Sequence, residues 1–207
     1  MEQRTDDWFA ARLGKVTASK LSDVMAKGRG SAPSATRLNY RAQLVVERLT
    51  GQPAPSFSNA AMDWGTETEP QARAVYTLET GNAVAEVGFI DHPTIAMSGA
   101  SPDGLVGERG LVEIKCPNSA THIATLRGAA IDGKYMKQMQ WQMACTGRDW
   151  CDFVSFDPRF PDHLQLHIRR VDADAEMIAE LEEATRRFLA EVEEEVSALM
   201  EAARAAA

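Results

Sequence analysis

Apolar and polar positions alternate at two periods along the 207-residue chain. At the front, residues 5–26 read as helical. Thr5 is an N-cap followed by Asp6 and Asp7, and Gly14 is a stop signal. A second helix opens at Thr17 or Ser19 and ends at Gly28. Thr36–Gly51 is a strong amphipathic helix, with Leu38, Leu44, Val45 and Leu49 near helical spacing. From Asp63 a further helix runs to Gly81 and turns Ala72, Val75 and Tyr76 toward a core. Pro70 kinks this helix unless it sits near the first turn. Lys27–Thr36 and Gln52–Ala60, rich in small residues and proline, are loops, the first of them mobile.

The middle of the chain changes to strand-like spacing. Asn82–Pro93 and Ile95–Gly104 read as two strands, and Gly110–Pro117 as a third. His122–Ala130 is a short helix. Gly133–Gly147 is a longer one, with Met136, Met139 or Gln140, and Met143 at helical spacing. Two more strands follow, Asp149–Pro158 and His163–Val171. One long helix runs from Asp172 to the end, with Ile178, Leu181, Phe188, Val192 and Leu199 as its apolar seam. The order predicts an α/β (α+β) fold with a central mixed sheet flanked by helices, in one domain. Within it, residues 1–60 supply N-terminal helices and loops, 61–172 the core, and 173–207 the C-terminal helix.

Charge complicates this picture. The net charge of −8 argues against a nucleic-acid partner if taken alone. The charge is uneven, however. Residues 1–60 carry nine Lys or Arg against five Asp or Glu, and residues 172–207 carry eleven Asp or Glu against three Arg. A basic front can form a local groove for DNA despite the overall sign. Cys116, Cys145 and Cys151 have no CxxC spacing and read as buried or half-buried thiols. The absence of a long apolar run and of a leader pattern predicts a cytosolic protein without membrane contact.

Candidate chemistry lies in Ser101–Pro117. Leu111 to Lys115 alternate, so a strand there places Glu113 and Lys115 on one face and Val112 and Ile114 on the other. Asp103, in a Ser-Pro-Asp-Gly turn, comes ten residues before Glu113. A hairpin brings the two carboxylates together. With a main-chain carbonyl such as that of Ile114 they form a hard oxygen site suited to Mg²⁺ or Mn²⁺. Lys115 projects beside them, placed to activate water or to stabilise charge on a phosphoryl group. The alternative is an ordinary exposed ion pair on a surface hairpin.

Five stretches in order carry a resemblance. They are RLGKVTASKL (from Arg12), WGTETEPQAR (from Trp64), SPDGLV with LVEIKCP, YMKQMQWQM (from Tyr135), and FDPR (from Phe156). From about Trp8 to about Pro158 the chain resembles the lambda exonuclease and YqaJ-like recombinase family of PD-(D/E)XK nucleases. The resemblance implies a 5′→3′ exonuclease that leaves a 3′ single-stranded tail for phage recombination. It makes Asp103, Glu113 and the Ile114 carbonyl metal ligands, with Glu69, rather than Glu67, as a ligand directly or through water. Lys115 becomes the catalytic lysine, and Gln138 the residue that orients lysine or water. Gln140, two residues on, cannot share that face. Arg12 and Ser19 would hold a 5′-terminal phosphate, with Ser19 a possible N-cap as well. Met62 would wedge the strands apart, or else is a core methionine. Two Mg²⁺ ions are implied, with Mn²⁺ as a substitute.

The implied partners are duplex ends bearing a 5′-phosphate, a single-strand annealing protein and two further copies in a trimeric ring. The implied setting is a phage or prophage product in a bacterial cytoplasm. Arg37 and Arg41, with the Lys27–Gly30 loop, are candidates for duplex contact or for plain solvated surface. The long C-terminal helix packs on the core, lines a subunit interface or faces a partner. The rival functions are a PD-(D/E)XK endonuclease of restriction or repair and a non-catalytic DNA-binding protein on the same fold.

Overall fold

Among the described residues, two sheets and seven α-helices position the site. The computed structural model describes residues 2–30, 34–54 and 59–206. The five-stranded mixed sheet has the order β2(Val84–Ala85), β5(Gly104–Val106), β6(Gly110–Lys115), β7(Trp150–Phe156), β8(Leu166–Asp172). β6 and β7 are parallel and the other neighbours antiparallel. A three-stranded sheet of β1(Val16–Thr17), β4(Ser98–Ala100) and β3(Ile90–Asp91) lies beside it. Helix α4(Ala60–Thr80) covers one face of the larger sheet, where Ala72 and Tyr76 pack with Val112, Ile114 and Val154. Helix α6(Gly133–Thr146) covers the other face, where Met139 and Met143 pack with Leu111, Cys151 and Phe153. Behind α6, Trp141 joins a second layer made by α2(Leu21–Val24), α3(Ala35–Thr50) and α7(Ala175–Ala205).

The predicted strands over 82–93 and 95–104 are shorter than expected. The first is split between the two sheets as β2 and β3. The helix expected over 17–28 is largely replaced. Val16 and Thr17 form β1, paired in parallel with Ser98 and Gly99, and a 3₁₀ turn over Ala18–Lys20 leads into the short α2. β-Branched residues favour the extended state once a partner strand is available. Thr17 makes no side-chain cap there, and Lys20 rather than Ser19 occupies the cap of α2. Thr5 does cap α1(Asp6–Arg12), accepting from the Trp8 N–H.

Helix α4 begins before Asp63, at Ala60, because the Asn59 side chain accepts from the Ala61 and Met62 N–H groups. The helix continues through Pro70. That proline is exposed, as is Thr66, whose carbonyl loses its helical donor to the proline and can take water instead. Short helix α5(Ser119–Leu126) starts at an Asn118 cap. The two predicted loops over 27–36 and 52–60 fall partly outside the described residues.

The acidic C-terminal helix packs on the core. Leu181, Phe188 and Val192 are buried, whereas Leu199, expected on the seam, is 48% exposed because the helix runs past its support. Leu38 and Leu49, also expected inside, are partly exposed; Tyr40, Leu44 and Val45 form the buried stripe of α3. Arg37 donates to both oxygens of Glu191 at 2.7 and 2.8 Å, and Arg41 pairs with Glu191 and Glu195. Arg37 and Arg41 are therefore not loosely solvated: both are held in ion pairs with the acidic tail. Phe188, fully buried, stacks on Tyr40 at 5.5 Å beneath Arg37. Phe188→Ala is expected to cost about 3–5 kcal/mol, read as a lower urea midpoint.

Candidate active site

The β5–β6 hairpin builds the floor of the site. Gly104 pairs with Val112, so Asp103 stands across from Glu113 at the strand end. Asp103 Oδ2 accepts the Ile114 N–H at 2.7 Å. The glycine after Asp103 is required by close approach: a Cβ there would meet Val84 Cγ1 at 2.1 Å. The predicted alternation along β6 holds. Val112 and Ile114 pack beneath α4, while Glu113 faces α6 and is completely buried.

A buried carboxylate needs donors on both oxygens, and α6 supplies them. Gln138 Nε2 donates to Glu113 Oε1 at 2.7 Å, and Gln142 Nε2 donates to Oε2 at 2.7 Å. The Lys115 ammonium also pairs with Oε1, and lies 5.0 Å from the Tyr135 ring centre. Burial works against the lysine's charge, but the Glu113 and Asp103 carboxylates outweigh it and hold the ammonium above its usual pKa. Burial and the Glu113 charge push the Asp103 carboxyl well above the usual carboxylate range, with Lys115 opposing them. Cys116, next in sequence, is pushed up to about 12 by burial and by the charges of Glu69 and Asp103, which keeps it a thiol.

Gln142 is the site residue that sequence reasoning missed. The signal was its i,i+4 spacing from Gln138, which puts both carboxamides on one helix face. Gln140 points elsewhere, as expected from its two-residue offset. It donates to the Asp172 carbonyl and accepts the Asp174 N–H, tying β8 to α7.

Above this floor lies a cleft of about 1190 Å³, lined in part by Asp103, Ile114, Lys115 and Glu69. Glu69 comes from α4, and its carboxylate is shared by Arg73, at 2.6 Å, and Arg4, at 3.2 Å. Glu67 is exposed on the same helix and is absent from the cleft lining. Met62 stands on the first turn of α4, 56% exposed and lining the cleft, so it is not a core methionine. Lys134, Arg159 and Arg169 also line the walls, Lys134 beside Asp132 and Arg159 paired with Asp157.

Ser19 also lines the cleft, with its hydroxyl 3.5 Å from that of Thr17 and free of capping duty. Arg12 does not line it. The guanidinium lies 3.9 Å from the Trp8 ring centre, and burial lowers its pKa, with Tyr40 and Glu47 opposing. Glu47 is occupied by the Gly14 N–H and by Gln43. Among the described residues no carboxylate forms an ion pair with Arg12.

The donors fit a hard divalent cation. No three His, Cys, Asp or Glu side chains among the described residues form a ready-made metal cage. The predicted set instead combines two carboxylates with a main-chain carbonyl, with Glu69 alongside. All are oxygen donors of the kind Mg²⁺ and Mn²⁺ prefer, and the crowding of Asp103 with Glu113 and Glu69 is one that added positive charge would relieve.

The fold and this arrangement of Asp103, Glu113 and Lys115 define a PD-(D/E)XK nuclease core. The YqaJ-like viral recombinase domain matches residues 7–149, and the chain belongs to that family. It is similar to an alkaline exonuclease (LHK-Exo) from Laribacter hongkongensis, with 56% identity, 98% of this chain and 100% of that chain covered, and a TM-score of 0.91. The structure of LHK-Exo in complex with dAMP matches with the same identity and coverage, at a TM-score of 0.92. A phage-related exonuclease from Haemophilus somnus 129PT shares the fold at 18% identity, with 89% of this chain and 96% of that chain covered and a TM-score of 0.68. No curated protein matches the chain. Among the described residues no helix is long and apolar enough to cross a membrane.

Proposed function

We propose that the chain is a metal-dependent DNA exonuclease. It degrades one strand of a linear duplex from a phosphorylated 5′ end and leaves a 3′ tail for phage recombination by strand annealing. The observation that carries this reading is the buried Glu113–Lys115 pair beside Asp103, at the floor of a cleft. The 56% identity to an alkaline exonuclease across the whole chain supports it.

Asp103, Glu113, the Ile114 carbonyl and Glu69 would hold two Mg²⁺ ions, with Mn²⁺ as a substitute. Bound there, the ions would supply Lewis-acid stabilisation of phosphoryl charge and a water nucleophile at neutral pH. Gln138 and Gln142 fix the Glu113 carboxylate. Lys115 keeps its proton in the grip of that carboxylate and directs positive charge at the oxygen that leaves or attacks. Arg12 lies outside the cleft lining, but it stacks on Trp8 and has no acid partner among the described residues, and with Ser19, which lines the cleft, it would clamp the 5′-phosphate. Met62, apolar and exposed over the cleft, would part the terminal base pair.

Release of 5′-mononucleotides, a ring of three copies around the duplex, a single-strand annealing partner and a bacterial cytoplasmic setting complete the proposal. Three substrates test it with Mg²⁺ present: a linear duplex with 5′-phosphate, the same duplex with 5′-hydroxyl, and a closed circle. Degradation is expected to be fastest on the phosphorylated end and absent on the circle. Arg12→Ala is expected to remove most of the preference between the two ends. Cutting of the circle would instead mark an endonuclease, and no cutting at all a binding protein.

A further inference from the structure

The first residues fold back onto the segment that carries Asp103. Gln3 Nε2 donates to the Pro102 carbonyl at 2.8 Å and to the Val87 carbonyl at 2.9 Å. Trp8 Nε1 donates to Ser101 Oγ at 2.9 Å. Between these anchors the Thr5 hydroxyl donates to the Glu2 carbonyl at 2.9 Å and closes a turn in which Arg4 has φ 68°. Glycine or asparagine takes this left-handed conformation at little cost, and arginine does not. A strained non-glycine position that the surrounding contacts enforce points to a use for its side chain.

That side chain lines the cleft and is 50% exposed. Its Nη2 lies 3.2 Å from Glu69 Oε2, while the other oxygen of Glu69 is held at 2.6 Å by Arg73, which is far less exposed. Arg73 suffices to fix Glu69. Arg4 makes the longer, wetter contact, of the kind that exchanges readily. Arg4 also precedes the stretch that the family matches, residues 7–149.

We propose that Arg4 is a phosphate-contacting residue. The Gln3 and Trp8 side-chain anchors and one turn hold it over the cleft, and it exchanges Glu69 for a phosphate of the nucleic-acid backbone when substrate enters. This rests on the nuclease reading of the same cleft. An arginine fork matches phosphate oxygens in two directions at once, and the exchange frees Glu69 Oε2.

Arg4→Asn and Arg4→Lys test it by fluorescence anisotropy with a 5′-phosphorylated duplex in Ca²⁺ across a salt series, alongside KM and thermal unfolding. For Arg4→Asn the affinity is expected to fall by about five- to tenfold. The slope of log affinity against log salt should shrink by about one, and KM should rise. The melting temperature should hold or rise, because asparagine suits the turn. Arg4→Lys should retain the slope. An unchanged slope and affinity in Arg4→Asn would overturn the proposal. So would a lower melting temperature with an unchanged slope, which would mark Arg4 as only a structural partner of Glu69. If the wild-type protein neither binds nor cuts duplex ends, the nuclease reading itself falls and the proposal with it.

Discussion

Replacing Lys115 by alanine is expected to slow single-turnover degradation of a 5′-phosphorylated duplex by about 10²–10³-fold at saturating Mg²⁺, the range set by losing one preorganised charge donor. Duplex affinity should stay within about threefold, since an unaltered phosphate-binding surface preserves the ionic contacts that dominate such binding. The physical reason is the setting of the ammonium. Its carboxylate partner is completely buried, and Lys115 is the member of the pair that reaches the cleft. A lysine displaced from its ordinary pKa in the upward direction is protonated throughout the neutral range. On the proposed reading it serves as a fixed charge or a proton donor. The variant should also be less stable, because Glu113 loses the ammonium paired with it in the interior; a thermal scan separates that loss from the rate effect. A Lys115→Ala rate within tenfold of wild type would refute the site, even in an active enzyme.

The parts of the fold that sequence made legible are those in which local pattern and tertiary packing agree. The alternation of Leu111 to Lys115 fixed which side chains face which helix; the hairpin turn itself falls at Gly107–Arg109, not at the predicted Pro-Asp-Gly, and leaves Asp103, just before β5, across from Glu113. Thr5, Gly51 and Gly147 marked helix ends correctly. What failed depends on distant partners. Val16 and Thr17 have no strand signature beyond two β-branched residues, and only the arrival of Ser98 and Gly99 makes them a strand. Leu199 has the right spacing for the seam of α7, but burial requires a surface to pack on, and the helix outruns it. Arg37 and Arg41 looked available for DNA because nothing local pairs with them; their partners lie some 150 residues on, in α7. In the site, the motif singled out Gln138, while Gln142 required knowing that Glu113 is buried deeply enough to need a donor on each oxygen.

Gln142 accordingly carries the second large effect. Glu113 Oε1 has two donors, Gln138 and Lys115, while among the described residues Gln142 alone donates to Oε2. Gln138→Met therefore leaves each oxygen with a partner, whereas Gln142→Met leaves a buried carboxylate oxygen with none. Gln142→Met is expected to lower Mn²⁺ affinity, measured by calorimetry, by about 10–100-fold, and the cleavage rate by a similar factor, as loss of a group that orients a metal ligand commonly does. It should also be the less stable of the two variants, by about 1 kcal/mol. That figure is held down by the fact that Gln142 Oε1 is itself buried without a donor, so its removal relieves one unpaired acceptor while creating another. A residue kept for packing alone would behave differently: methionine is close in volume and more at ease beside Met139 and Met143, and would preserve both stability and metal affinity. Metal affinity within threefold of wild type in Gln142→Met, or a larger stability loss in Gln138→Met, would show that Glu113 is oriented by Lys115 and Gln138 without help from Gln142.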